Sequence, residues 1–264
     1  MSELNAIKGR LALITGASGG PSRCYHHSIG AACARNLARQ DVHLALTYSS
    51  NLASIATLSI DLKSTYPHLR ITTHQVDMSS PPAIESMLKD LQSQHNNQSP
   101  DILISNAGHG KRIPQIWDIS LEEFDYMLNV NLRASFVLVK GVVEGMKERR
   151  WGRIVFISSI AAQGGGVNGC HYAASKGGLT GMMKNLSTRL APFNISVNDV
   201  APAMIGETGM IPNAAAIPEI VGEGAGGIPI GRLGTTDEVA GMVEMCVKTG
   251  YLTGQSLLLA GGLK

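Results

Sequence analysis

The chain lacks any Cys-x-x-Cys pair. Cys24, Cys33, Cys170 and Cys246 are widely spaced, which argues against a disulfide framework in a chain long enough to fill its own core. Reduced, mostly buried thiols are expected. Aromatic residues are scarce at 5%, so the core must be built from Ala, Val, Ile, Leu and Met. Neither sign of charge dominates: 22 basic against 20 acidic residues give a net +2 with no basic stripe, which excludes a nucleic-acid partner. Met1 to Arg10 holds Glu3, Lys8 and Arg10 without an uninterrupted apolar run, so neither a secretory leader nor a membrane anchor is expected, and a cytoplasmic location follows. Cys24, His26 and His27 cluster in one short segment but lack a full ligand set, so no metal is expected.

What the sequence does have is 44% hydrophobic residues, 16% charged residues and 30 glycines in 264 positions, which suits one domain spanning residues 1–264. Short apolar runs alternate with helical stretches throughout. The runs Leu11 to Thr15, Val42 to Tyr48, Ile71 to Val76, Asp101 to Ser105, Arg153 to Ser158, Ile195 to Val200 and Ser256 to Leu259 predict seven parallel strands. Ile29 to Gln40, Ser54 to Tyr66 and Pro82 to Gln94 read as crossover helices, the last capped by Ser80 with Pro81 in its first turn. Ser120 and Glu123 form a capping box opening one long helix towards Arg150, and Thr235 with Glu238 repeats the device before the final helix. The pattern predicts an α/β fold, a Rossmann-type doubly wound parallel seven-stranded sheet with helices on both faces. Residues 201–234, rich in Gly, Pro and Ala, read as a long loop over the substrate.

The first strand runs into Thr15-Gly16-Ala17-Ser18-Gly19-Gly20, glycines placed where backbone must approach a pyrophosphate. The same cluster also reads as an ordinary tight turn. No acidic residue closes the second strand; Tyr48-Ser49-Ser50-Asn51 offers hydroxyl and amide groups suited to a 2′-phosphate, favouring NADP, and reads otherwise as a polar turn. Asp77, followed by Met78 at the third strand's end, is a candidate adenine acceptor or a helix cap. Tyr172 and Lys176 open a helix at i, i+4 spacing, on one face. A phenol titrates near about 10 in water, and a desolvated cation beside it is expected to lower that value. Ser159 lies just past the fifth strand, at the edge where parallel sheets bind ligands. Asn131 alone reads as a polar interruption of an apolar helix face.

With those motifs assembled, the chain resembles the short-chain dehydrogenase/reductase family, and within it the 3-oxoacyl-[acyl-carrier-protein] reductase branch. The likeness rests on the residues from Thr15 to Gly20, Ser105-Asn106-Ala107-Gly108, Asn129-Val130-Asn131-Leu132, Ile157-Ser158-Ser159, Tyr172 to Lys176, and Pro229 to Gly234. It implies NADPH-dependent reduction of a ketone, a 3-oxoacyl thioester or similar carbonyl, to a secondary alcohol. Tyr172 would be proton donor, Ser159 would steady the carbonyl oxygen, Lys176 would hold the nicotinamide ribose, and Asn131 would kink its helix and anchor through its carbonyl a water leading to Lys176. Gly16, Ser18, Gly20, Ile29, Tyr48, Ser49, Ser50, Asp77, Met78, Asn106, Ala107, Gly108, Tyr172, Lys176, Ile205 and Thr208 would contact the cofactor.

The resemblance also implies a homodimer or homotetramer, packed through the helices bearing Phe124, Met127, Leu128, Leu132, Phe136 and Tyr172. Two departures stand out. The family's glycine turn would be completed by Ile29-Gly30 only after skipping Pro21 to Ser28, an insert that either bulges outward or displaces the helix start; a bulge is expected. Pro202-Ala203 and Ala260-Gly261-Gly262 stand where the family has Pro-Gly and Asp-Gly-Gly. An enoyl reductase branch shares a longer loop ending as Ser28-Ile29 does but spaces its Tyr and Lys differently. The alternatives are oxidation of a secondary alcohol by the same groups, or a nucleotide-binding protein without turnover because of the interrupted loop.

Overall fold

The computed structural model describes residues 3–19, 28–164, 167–211 and 227–264. Seven strands form one parallel sheet: β1 (Leu11–Ile14), β2 (His43–Tyr48), β3 (Ile71–Gln75), β4 (Ile102–Ser105), β5 (Gly152–Ile157), β6 (Ile195–Pro202) and β7 (Ser256–Leu259). Their spatial order is β3-β2-β1-β4-β5-β6-β7. The chain starts in the middle, winds outward to β3, then reverses through β4 to β7, so the order switches between β1 and β4, which pair from Ala12↔Ile102 to Ile14↔Ile104. Ligands of such sheets bind outside the carboxyl ends of the strands at that switch. The central strands are apolar on both faces because helices cover both; β1, β4 and β5 are buried along their whole length.

One face is covered by α1 (Ile29–Ala38), α2 (Leu52–Thr65) and α7 (Thr236–Lys248), packing Leu37, Ile55, Leu58 and Val243 onto Ile14, Leu44, Leu46 and Val155. The other is covered by α3 (Pro81–Gln94), α5 (Ala134–Glu148) and α6 (Cys170–Leu190), which bury Ile84, Leu91, Leu138, Val142 and Met183 against Leu13, Leu103, Ile154 and Phe156. Ser80 caps α3 with Pro81 in its first turn, and Thr235 with Glu238 makes both bonds of a capping box at α7.

The long helix expected from Ser120 to Arg150 is not continuous. It is α4 (Leu121–Leu128), a π-helical turn over Asn129–Arg133 and then α5, with the N–H of Ala134 donating to the carbonyl of Asn129 five residues back. The Ser120 box is also only half formed. Ser120 Oγ accepts from Glu123 N at 3.2 Å, but the Glu123 carboxylate turns to His109 and Lys111, each at 2.9 Å. No helix among the described residues is long and apolar enough to cross a membrane.

Candidate active site

The turn after β1 is clamped to the end of β4. Thr15 Oγ1 accepts the N–H groups of Asn106 and Ala107 at 3.0 and 2.9 Å, and Asn106 Nδ2 donates to the carbonyls of Thr15 and Gly16 at 2.8 and 3.2 Å. Gly16 takes φ +68°, open to glycine at little cost. A side chain on Gly30 would sit 2.8 Å from the Gly16 carbonyl oxygen. The start of α1 therefore presses backbone against the turn, and Ser28 seals the join by donating to the Ala17 carbonyl at 3.0 Å and capping Ala31 N at 3.1 Å. Gly16 and Gly30 are together despite the residues between them; the expected bulge itself lies, apart from Ser28, outside the described residues. Gly20, and Cys24, His26 and His27 of the insert, lie outside the described residues. A turn that leaves no room for a Cβ, facing the first residues of a helix at Ile29, fits a dinucleotide pyrophosphate.

The remaining nucleotide-side residues follow the same sheet edge. Ser18 is buried and donates to the Gly19 carbonyl. Tyr48 is half-buried at the end of β2, with Ser49 and Ser50 exposed beyond it and Asn51 capping α2. Asp77 is exposed, and its Oδ1 accepts both the N–H and hydroxyl of Ser79 at 2.8 Å, while Met78 is buried behind it. Ala107 and Gly108 continue from Asn106 towards the other half of the edge; a Cβ on Gly108 would lie 3.4 Å from Asn131 Oδ1 and 3.5 Å from Lys176 Nζ.

There the four expected catalytic residues meet. Ser159 follows β5, its Oγ accepting Ala161 N at 3.2 Å, and its hydroxyl acts on the Tyr172 phenol, favouring the ionised form. Tyr172 is 5% exposed and Lys176 is 3% exposed. The Lys176 ammonium donates to the Ile157 carbonyl at 2.8 Å and lies 5.7 Å from the Tyr172 ring centre. Asn131 is buried in the π-helical turn, where the extra residue aims its side chain at the loop after β4. Its Oδ1 accepts from His109 N at 2.7 Å, and its Nδ2 donates to the His109 carbonyl at 2.9 Å and to Ser175 Oγ at 3.0 Å.

Burial pushes the Lys176 ammonium down to about 8, opposed by the negative charge of Asp199. It also pushes the Tyr172 phenol above its usual value, with the Ser159 hydrogen bond acting the other way. The lowered phenol expected from the sequence is thus absent: desolvation of the ring outweighs its neighbours.

Ile205 and Thr208 stand on the opposite wall, beyond β6. Ile205 pairs with Gly234 in an isolated parallel bridge. Thr208 Oγ1 donates to the Ile205 carbonyl at 3.0 Å and accepts Ile211 N at 3.3 Å, turning the segment over the edge. Of the loop expected over 201–234, residues 212–226 lie outside the described residues.

Several residues around the site belong to none of the sequence motifs. His109 is held by Glu123 and stacks edge-on against Tyr126 at 5.0 Å. Asp199 lies fully buried in β6; a carboxylate inside an apolar strand was the signal that could have found it.

These features agree with what known proteins show. A family model for short chain dehydrogenases matches residues 10–217. The chain is 33% identical over 259 residues to the 3-oxoacyl-[acyl-carrier-protein] reductase FabG of Escherichia coli (strain K12), covering 97% of this chain and 98% of that protein. It is 32% identical to the Rickettsia bellii (strain RML369-C) protein of the same name, with the same coverage. Among solved structures, a short chain dehydrogenase from Burkholderia cenocepacia J2315 in complex with NADP superimposes with a TM-score of 0.82 at 29% identity, over 97% of this chain and 98% of that one. A blue fluorescent protein from a metagenomic library, in complex with NADPH, gives 0.83 at 29% with equal coverage. The chain belongs to the short-chain dehydrogenase/reductase family, and is an oxidoreductase acting on C=O and CH–OH groups.

Proposed function

We propose that the protein reduces a ketone, a 3-oxoacyl thioester or similar carbonyl, to a secondary alcohol with NADPH. The observation that carries this reading is the convergence of the Ser159 hydroxyl, the Tyr172 phenol and the Lys176 ammonium at the sheet edge beside the switch point. NADPH, when bound, supplies the hydride. Ser159 and Tyr172 hold the carbonyl oxygen, and Tyr172 hands its proton to the alkoxide as charge develops there. A phenol whose pKa is raised by burial keeps its proton at neutral pH, which suits a donor in the reductive direction better than a base in the oxidative one.

Lys176 binds the nicotinamide ribose, and Asn131 fixes the loop after β4 and anchors the water path along which Tyr172 regains its proton. Gly16, Ser18, Gly20 and Ile29 take the pyrophosphate. Tyr48, Ser49 and Ser50 take the 2′-phosphate without a carboxylate to repel it, and Asp77, Met78, Asn106, Ala107 and Gly108 line the adenine and ribose side. Ile205 and Thr208 meet the carboxamide, and the 201–234 segment covers the substrate of a single 1–264 domain. A second copy of the chain covers the apolar face of Leu128, Leu132, Phe136 and Met182.

The test follows NADPH oxidation with a 3-oxoacyl thioester and with simple ketones. Tyr172→Phe should lower kcat roughly 10³-fold while NADPH binding, read by fluorescence, persists. Undiminished turnover in that variant would overturn the reading.

A further inference from the structure

Asp199 has no exposed surface, yet no ion pair holds it among the described residues. Its carboxylate accepts three hydroxyl hydrogen bonds from three different elements: Ser158 at the end of β5 at 2.8 Å, Ser256 on β7 at 2.6 Å, and Thr180 on α6 at 2.9 Å. The hydroxyls satisfy the oxygen lone pairs but bring no countercharge, and a buried charge is costly unless an opposite one lies within reach. Thr180 lies four residues after Lys176, so both side chains share one face of α6. The carboxylate is therefore held one helical turn along α6 from the residue that carries the ammonium. Ser158 also directly follows Ile157, whose carbonyl takes the Lys176 hydrogen bond.

We propose that Asp199 is a positioning residue for carbonyl reduction: its carboxylate is the buried counter-charge that keeps Lys176 cationic, and its bond to Ser158 fixes the strand end from which Ser159 projects. The proposal rests on Lys176 and Tyr172 serving the reaction as set out above. The lowered proton affinity of Lys176, which the Asp199 charge partly restores, agrees with it. The titratable groups acting around this pair are Tyr172 on the same helix, 5.7 Å from the ammonium by its ring centre, and the Cys246 thiol on α7, within electrostatic reach of Asp199. Gly108, against which Lys176 Nζ and Asn131 Oδ1 both lie, and Ile157, which takes the ammonium's hydrogen bond, carry no charge.

Asp199→Asn keeps the shape and can satisfy all three hydroxyls, two through its carbonyl and one through its amide, while removing the charge. The Lys176 midpoint is read directly by NMR of [13Cε]-lysine protein without cofactor, the resonance being assigned by its loss in Lys176→Met. In Asp199→Asn the midpoint should fall by about one pH unit, a tenfold change in the protonation equilibrium. The alkaline limb of the kcat profile for NADPH-dependent reduction should move down with it. Thr180→Val, which removes one hydroxyl but keeps the charge, should lower Tm and leave the midpoint in place.

An unmoved Lys176 midpoint in folded Asp199→Asn would show that Asp199 is scaffold only and overturn the proposal. Should Asp199→Asn not fold, the wild-type titration decides: an ammonium retained to about pH 8 supports the counter-charge, and one lost below pH 7 overturns it. Because these titrations need no turnover, they can fail while Tyr172→Phe still loses activity, and the reverse also holds.

Discussion

A lysine buried beside a phenol is a poor base and a costly cation. Lys176 titrates in the folded chain at about 8 against its ordinary 10.5. Between those values the unfolded chain holds the extra proton, so stability rises with pH across that window, and the destabilising effect is fully present below pH 8. Lys176→Met should therefore raise the unfolding free energy at pH 7 by about 1–3 kcal/mol while weakening NADPH binding, measured by thermal melts and fluorescence titration. At Gly30 the direction reverses. A Cβ would lie 2.8 Å from the Gly16 carbonyl and 3.0 Å from Ala17 Cα, both backbone, so Gly30→Ala must push α1 off the turn. Its cost should be about 1–3 kcal/mol by urea unfolding, with a larger proportional loss of NADPH affinity. Ser159, Tyr172 and Lys176 were legible in the sequence because one strand end and one helical spacing place them. Asp199 was not, because its partners Ser158, Thr180 and Ser256 come from distant positions that only the finished sheet unites.

At the scale of elements, the π-helical turn was legible only through the family resemblance, which implies a helix kink at Asn131. The local pattern alone does not mark one residue of Asn129–Arg133 as extra, because the apolar residues on either side look continuous; in the fold, Asn131 bonds across to His109 from this turn. Asn131→Ala would leave the His109 N–H and carbonyl without these partners, which should cost about 1–3 kcal/mol and lower kcat more than KM changes. A second seam joins β3 to the end of α3. Thr72 Oγ1 bridges His74 Nε2 at 2.8 Å and His95 Nε2 at 2.9 Å, both rings buried, and His74 Nδ1 meets Asp90 at 2.9 Å. Burial, aided by the nearby Arg70 charge, holds His95 down to about 4. The unfolded chain takes up this proton near 6.5, so stability is present above that pH and drains away as pH falls from 6.5 towards 4. Acid melts should show His95→Gln losing less stability than wild type over that interval, by up to about 3 kcal/mol. The caps differ in legibility for a plain reason. Glu238 had only Thr235 and Arg232 to answer, whereas Glu123 was drawn off by His109 and Lys111 from a loop that the local sequence does not bring near.

Across the whole molecule, the alternation of apolar runs and helical stretches disclosed all seven strands to within a few residues, most plainly β1 and β4, where burial on both faces leaves little room for polar residues. Strand order could be anticipated only through the family resemblance. The same helices that carry the site leave an apolar face outside, with Phe136 more than half exposed next to Leu128, Leu132 and Met182. Phe136→Glu should convert a dimer or tetramer to smaller species in light scattering, and a wild-type monomer would contradict the assembly proposed here. The winding order has one more outcome, for the chain as it is made. β1 lies between β2 and β4, yet β4 begins 88 residues after β1 ends, counting from Ile14 to Ile102. A ribosome adding about 5–20 residues per second has delivered β1 to β3 and three helices while Ala12–Ile14 still presents an unpaired apolar edge. During that interval of several seconds, the nascent chain is exposed to chaperones and to other nascent chains at a strand that is later buried between β2 and β4.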